Sequence, residues 1–288
     1  MNVVVKQSVM KINKLTPNLG AEVTGIDLTK PVDESTRQQL SDALHEHIML
    51  CFRGQNFTPE QYMGAGSLFG DLILQDQPEL YGLEGYPYIR RIDSEQKDFS
   101  GKKATYSPEW HTDHTHYEAP PKYTMMYPIN LPSAGGGTSF CNTRFGFERL
   151  PDDMKDKIDG MRTINVLAGS AARDARSTNT QGMDRGNELR AEQPLVRKNP
   201  DHNNSKAIYF HPKKTENVIG MTPEATQDLL YELMESIVQE DNSYTHSWQS
   251  GDFVIWDNRS SLHKANLDFD HSQHRLLYRM CVKGEKSI

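Results

Sequence analysis

From about residue 104 onward the chain is written as short apolar runs broken by Gly, Pro and Asn: "YTMMYPINL", "GGGTSFCN", "RTINVL", "PLVRKN", "KAIYFH", "DFVIWDN" and "HRLLYRMCV". Runs this short, rich in β-branched and aromatic residues and bounded by turn formers, fit strands. Many of them in succession predict a sandwich or barrel. One segment departs from that texture. Residues 223–240 place Ala225, Leu229, Leu230, Leu233, Met234, Ile237 and Val238 on one stripe at helical spacing, and Thr222 with Pro223 supplies a start. A helix packed outside the β-structure is expected there.

The first third reads differently. Residues 8–30 alternate loosely around Gly20 and Gly25 as two short strands, and "DESTRQQLSDALHEHI" has polar cap residues followed by helical spacing of Leu40, Ala43 and Leu44. "MLCFRG" reads as a buried strand. In "FTPEQYMGAGSLFG" Thr58 precedes Pro59 and Gln61 lies three after Thr58, the signature of a capping box, so a helix should run to about Gly70. A mixed α/β part over about 1–100 and a β-rich part over 101–288 are expected to form one domain. Residues 168–193 are polar, lack either period and are long for a connection, which fits a lid or plain surface chain.

Charge and cysteines narrow the functional classes. The net charge is −7, from 32 basic and 39 acidic residues, with no Lys/Arg-rich run, which argues against a nucleic-acid or membrane-surface partner. The 3 cysteines, Cys51, Cys141 and Cys281, are widely spaced and form no Cys-x-x-Cys pair, so a disulfide framework or zinc knot is not expected. A reducing cytoplasm fits best. The apolar patch in "MNVVVKQSVMKINKL" is too short for a secretory signal, and no run approaches transmembrane length.

The stretch "EWHTDHTHYEAPP", residues 109–121, gathers His111, Asp113, His114 and His116. On a strand, His111 and Asp113 share one face while His114 and His116 share the other. An imidazole and a carboxylate side by side suit a divalent metal, provided a third ligand arrives from elsewhere. A His-x-Asp pair alone is a frequent chance pattern. Among the remaining histidines only His263 has a supporting context, between the turns of "GDFVIWDNRSSLHKANLDFDHSQHRLLYRM".

The segments "WHTD", "PSAGGGTSF", "GDFVIWDNRSSLHKAN" and "HRLLYRM", in this order, resemble the taurine dioxygenase and 2,4-dichlorophenoxyacetate dioxygenase (TauD/TfdA) family of Fe(II)- and 2-oxoglutarate-dependent oxygenases. The likeness extends from "GAEVTGIDL" to "LYRMCVKG". It implies an α+β fold, a distorted double-stranded β-helix (jelly roll) with flanking helices, and a dioxygenase that consumes 2-oxoglutarate and O2. It also implies that His111, Asp113 and His263 are the iron ligands, that Arg275 binds the distal carboxylate of 2-oxoglutarate, and that Thr138 adds a hydrogen bond. Arg279, four residues beyond Arg275, matches an arginine near both the substrate anion and the inner end of 2-oxoglutarate.

Residues matching the taurine pocket by the shared "FGD" and "WHTD" segments are Ile73, Asp76, Ser107 and His114, where the taurine enzyme has His, Tyr, Asn and Val. Taurine itself is therefore not the expected substrate. Tyr209 takes an aromatic position of the same pocket. The expected activity is hydroxylation of a small anionic or zwitterionic molecule, with succinate and CO2 as co-products, in a homodimer or homotetramer. The rivals are a zinc hydrolase using the same three ligands and an inactive jelly-roll binding protein. His116, His271 and His274 are assigned no role beyond solvation or local hydrogen bonding.

Overall fold

The structure is a computed structural model, described over residues 9–97, 108–167 and 189–287. In chain order, the first part comprises β1 (Lys11–Lys14), β2 (Ala21–Thr24), α1 (Glu34–His47), β3 (Met49–Phe52), α2 (Pro59–Ser67), the one-turn α3 (Pro78–Tyr81), β4 (Gly82–Leu83) and β5 (Tyr86–Asp93). The chain continues through β6 (Tyr123–Asn130), β7 (Thr138–Asn142), α4 (Thr143–Arg149), α5 (Asp152–Ile158), β8 (Arg162–Val166), β9 (Arg190–Pro194), β10 (Val196–Asn199), β11 (Ser205–Ile208) and β12 (Thr215–Val218). It closes with α6 (Pro223–Ile237), β13 (Ser243–His246), β14 (Phe253–Asp257), β15 (Ser261–Ala265) and β16 (Leu276–Val282). The class is mixed α and β.

An 8-stranded sheet ordered β1-β2-β3-β14-β6-β16-β5-β4 mixes strands from both ends of the chain. Its two faces are set by strand alternation. Phe253 and Ile255 of β14, Met125 of β6 and Met280 of β16 face α1 and α2, in a core shared with Leu40, Leu44, Tyr62 and Ala65. Val254 and Trp256 face the other way and pack with Phe140 of β7. That second face looks onto the 3-stranded sheet β13-β7-β15. The space between the two sheets is where the polar residues of β6, β15 and β16 meet.

Local chemistry accounts for the helices. Asp33 caps α1 by accepting from Thr36 N at 2.8 Å, and Thr58 with Gln61 forms the expected capping box of α2. α2 ends at Ser67, short of Gly70. α6 starts at the expected Pro223 and buries Leu229, Leu230, Leu233 and Ile237. It stops at Ile237 rather than 240, because Val238 has left helical geometry at ψ 78°.

The strand expected over 109–117 does not form. His111 makes an isolated bridge to His263, after which the chain turns, with His114 at φ 53°. Extended alternation ends because Thr112 is drawn aside, its hydroxyl donating to the Asn258 carbonyl at 2.7 Å. Of the candidate lid 168–193, residues 168–188 lie outside the described residues, and Arg190–Pro194 is strand β9 on the edge of the β12-β8-β9 sheet. No helix among the described residues is long and apolar enough to cross a membrane. Cys51, Cys141 and Cys281 are buried free thiols.

Candidate active site

One strand, an isolated bridge and a turn bring the three predicted ligands together. β15 presents His263 between Phe140 and Trp256, whose ring centroids lie 6.3 and 4.8 Å away. Paired backbone hydrogen bonds of 2.9 and 2.8 Å then hold His111 against it. One ligand atom from each of His111, Asp113 and His263 falls within 4.8 Å of the others. His111 Nδ1 donates to the Glu109 carbonyl at 2.7 Å, which leaves Nε2 with a free lone pair.

Asp113 is fixed from behind. Its Oδ2 accepts from Thr124 Oγ1 at 2.7 Å and lies 3.1 Å from Arg279 Nη2. Thr124 in turn accepts from Asn258 Nδ2 at 2.8 Å, and Asn258 Oδ1 accepts from Trp256 Nε1 at 3.1 Å. Burial alone would raise the Asp113 carboxyl, but the charge of Arg279 beside it holds it well below the usual range. Burial pushes His263 down to about 3, so its 3.8 Å approach to Asp113 is not an ion pair. Two neutral imidazoles and a carboxylate, buried and converging, form a set of lone-pair donors that fits a divalent transition metal with open positions.

Thr138 lies on the same face of the small sheet as His263, and Arg275 reaches the turn that leads into Thr138. Arg275 Nε donates to the Gly136 carbonyl at 2.9 Å, two residues before Thr138 on β7. Thr138 and Phe140 share a face of β7, and Phe140 pairs with His263 in register. The Thr138 hydroxyl accepts from Trp248 Nε1 at 3.1 Å. Behind it, Asp252 Oδ2 accepts from Arg53 Nη1 at 2.6 Å and meets His246 Nε2 at 2.9 Å. Cys51, His246 and Asp252 also lie at metal-ligand spacing. Asp252 Oδ2 and both ring nitrogens of His246 are already engaged in this buried network, which supports the Thr138 strand.

The expected substrate residues divide. Ile73, Asp76 and His114 line one small cleft with Tyr117 and Cys281. The Tyr117 hydroxyl donates to Asp76 Oδ2, and the Tyr117 ring stacks on His114 at 5.1 Å. Although strand parity turned His114 away from the ligands, its Nε2 accepts from Arg279 Nη2 at 2.9 Å, beside Asp113. Tyr209 is 1% exposed, and burial, with the field of Asp113, keeps its pKa up at about 12 despite nearby Arg197. Ser107 lies outside the described residues.

Arg279 does face the site, but a register shift at Leu276/Leu277 shows that the strand does not run regularly back to Arg275. His116, expected to be solvated or locally hydrogen-bonded, is 1% exposed and meets Lys214 Nζ through Nδ1 at 3.4 Å. His274 is locally bonded as expected, to Asp93 at 2.9 Å. Thr124, His211, Lys214 and Arg90 were assigned no role from the sequence. His211 lies 5.1 Å from the His111 ring, and the charge of Lys214 acts on His111, His114 and His211. Each is a single residue with no local pattern; only the polar threonine within the apolar run "YTMMYPINL" offered a signal.

The chain matches the family model described as "Taurine catabolism dioxygenase TauD, TfdA family" over residues 11–281. It is 30% identical over 283 residues to an alkylsulfatase of Acinetobacter baylyi, covering 96% of this chain and 86% of that protein. It is 29% identical to an alpha-ketoglutarate-dependent sulfonate dioxygenase of Saccharomyces cerevisiae, covering 100% and 70%. The crystal structure of a taurine dioxygenase from Burkholderia xenovorans superimposes with a TM-score of 0.80 at 27% identity, covering 97% and 91%. The chain belongs to the TauD/TfdA family of 2-oxoglutarate-dependent dioxygenases.

Proposed function

We propose that this dioxygenase holds Fe(II) through His111, Asp113 and His263, receives 2-oxoglutarate at Arg275 and Thr138, and hydroxylates a small anionic substrate. The observation that carries the reading is the buried convergence of two neutral imidazoles and one ionised carboxylate backed by Arg279. The sheets on either side of that cluster fit a jelly-roll core, and the chain is read as one catalytic domain. The buried free thiols are in keeping with a reducing compartment.

Bound there, Fe(II) with 2-oxoglutarate and O2 supplies the oxidising chemistry, with succinate and CO2 as co-products. The protein's own residues do the rest. Arg275, with its planar fork, suits two-point binding of a carboxylate, and the Gly136 carbonyl orients it. Thr138 adds a hydroxyl positioned by Trp248. Arg279 keeps Asp113 ionised and, from its place beside Asp113 and His114, would face both the inner end of 2-oxoglutarate and the substrate. Ile73, Asp76, His114 and Tyr209 shape the substrate side, and the named substrates of the relatives, a sulfonate and by name an alkyl sulfate, share an anionic head group.

The test is succinate formation from 2-oxoglutarate with Fe(II) and O2, screened against alkyl sulfates, sulfonates, aryloxy acids, phosphonates and amino acids. Stimulation by at least one of these, lost in His111→Ala, is the expected result. A zinc hydrolase on the same ligands would cleave its ester without consuming 2-oxoglutarate.

A further inference from the structure

Two cations stand in the site without a paired carboxylate among the described residues. Lys214, in the turn before β12, is largely buried, and its Nζ reaches His116 Nδ1 at 3.4 Å with no carboxylate partner among the described residues. Arg90 on β5 stands directly opposite Arg279 across the β5–β16 pairing. Its guanidinium carbon lies 4.2 Å from the centre of the Tyr81 ring, again with no carboxylate partner among the described residues. Like charges directly opposite on neighbouring strands destabilise a sheet. A buried ammonium without a counter-ion is also unfavourable. Both features persist beside a site whose activity requires a ligand.

The nearby carboxylates are engaged elsewhere. Asp113 pairs with Arg279, and Asp76 accepts from the Tyr117 hydroxyl. Lys214 feels the fields of Asp113, Arg279, Arg90 and Asp76, so cations from three separate elements share one region with two carboxylates and leave it one positive charge in excess. The unsatisfied hydrogen-bonding groups agree. Arg279 donates to His114 Nε2, which places the His114 proton on Nδ1, a buried N–H without a partner. Lys214 donates to His116 Nδ1, which places that proton on Nε2, likewise buried and unpartnered. What the region lacks is a negatively charged group that only accepts hydrogen bonds.

We propose that Lys214 and Arg90 form an oxyanion subsite that recognises the head group of the substrate, a singly charged sulfonate, sulfate monoester or carboxylate. This rests on the reading of the iron site given above and assigns substrate selection to residues beyond Arg279. Arg279 remains committed to Asp113 and His114, while Lys214 and Arg90 supply charge that no carboxylate among the described residues pairs with. A neutral analogue of the same shape leaves both cations and both imidazole N–H groups unmet.

The test uses anaerobic protein loaded with Fe(II) and 2-oxoglutarate and titrated with pentyl sulfate, pentanesulfonate or hexanoate, with pentan-1-ol as the uncharged control. Binding is read from the visible absorption of the loaded site and, separately, from thermal melting in the same mixtures. At least one oxyanion is expected to bind, about tenfold or more tighter than the alcohol, and the tightest of the three names the head group. Lys214→Met and Arg90→Gln should weaken that oxyanion about tenfold or more and leave 2-oxoglutarate affinity unchanged, while Lys214→Arg recovers binding. The proposal is overturned if Lys214→Met binds the oxyanion as wild type does, if 2-oxoglutarate affinity falls in parallel, or if no oxyanion binds. Absence of the absorption band would instead overturn the iron-site reading, and the melting curves would still report oxyanion binding.

Discussion

Arg279 Nη2 lies 3.1 Å from Asp113 Oδ2, a contact between a buried guanidinium and the one carboxylate of the candidate metal set. The pair keeps Asp113 ionised in a place where burial alone would favour its neutral form. Replacing Arg279 with Gln removes that field and leaves His114 Nε2 without its donor. The expected outcome is a loss of Mn(II) affinity of roughly 10- to 100-fold, the range for partners behind a metal ligand, measured by calorimetric titration. Unchanged affinity would show that Arg279 serves only the substrate.

Thr124 acts on the same oxygen from the other side. Thr124→Val keeps the shape but leaves Asp113 Oδ2 and Asn258 Nδ2 each short of a partner. The variant should lose about 1–3 kcal/mol of stability by urea unfolding, the cost of stranding buried polar groups. Its metal affinity should fall with it.

Lys214 gives a pH signature. Burial above all lowers its pKa from 10.5 to about 8; Asp113 and Asp76 pull against the shift, and the like charges of Arg279 and Arg90 add to it. Between those values the unfolded chain binds more protons than the folded one, so this group makes stability rise with pH across about 8 to 10.5. Below pH 8 the charged lysine is a standing cost. Lys214→Met is therefore expected to melt higher than wild type at pH 7, with the difference shrinking toward pH 10. A lower melting point at pH 7 would mean that the ammonium already has a partner.

Gly136 holds its backbone at φ +68°, and a Cβ there would stand 3.1 Å from Arg275 Nε. Gly136→Ala meets both the left-handed conformation, at about 1–2 kcal/mol, and the guanidinium it orients. The KM for 2-oxoglutarate should rise several-fold while kcat at saturating co-substrate changes less. An unchanged KM would show that Arg275 is not placed by this turn.

Much of the site was legible because its chemistry is written in linked motifs. His111, Asp113 and His263 are brought together, and the strand pattern after residue 104 recurs with modest changes at its ends. The strand assumed over 109–117 grouped His111 with Asp113, yet the pair converges through a turn pinned by Thr112 to Asn258. That tertiary hydrogen bond has no local sequence signature, and it is why His114 was turned the wrong way. Lys214 and Arg90 were invisible for a similar reason. Each is an ordinary cation in its own segment, and its meaning comes only from β5–β16 register and burial. The helices α4 and α5 escaped notice because each is only 7 residues long and too short to establish a period.

The most direct test of the iron site is the visible absorption of anaerobic protein titrated with Fe(II) and 2-oxoglutarate. The account expects a charge-transfer band that saturates at one Fe(II) per chain, is absent in His111→Ala, and in Arg275→Gln needs more 2-oxoglutarate to appear. No band in wild type, or the same band in His111→Ala, would contradict it.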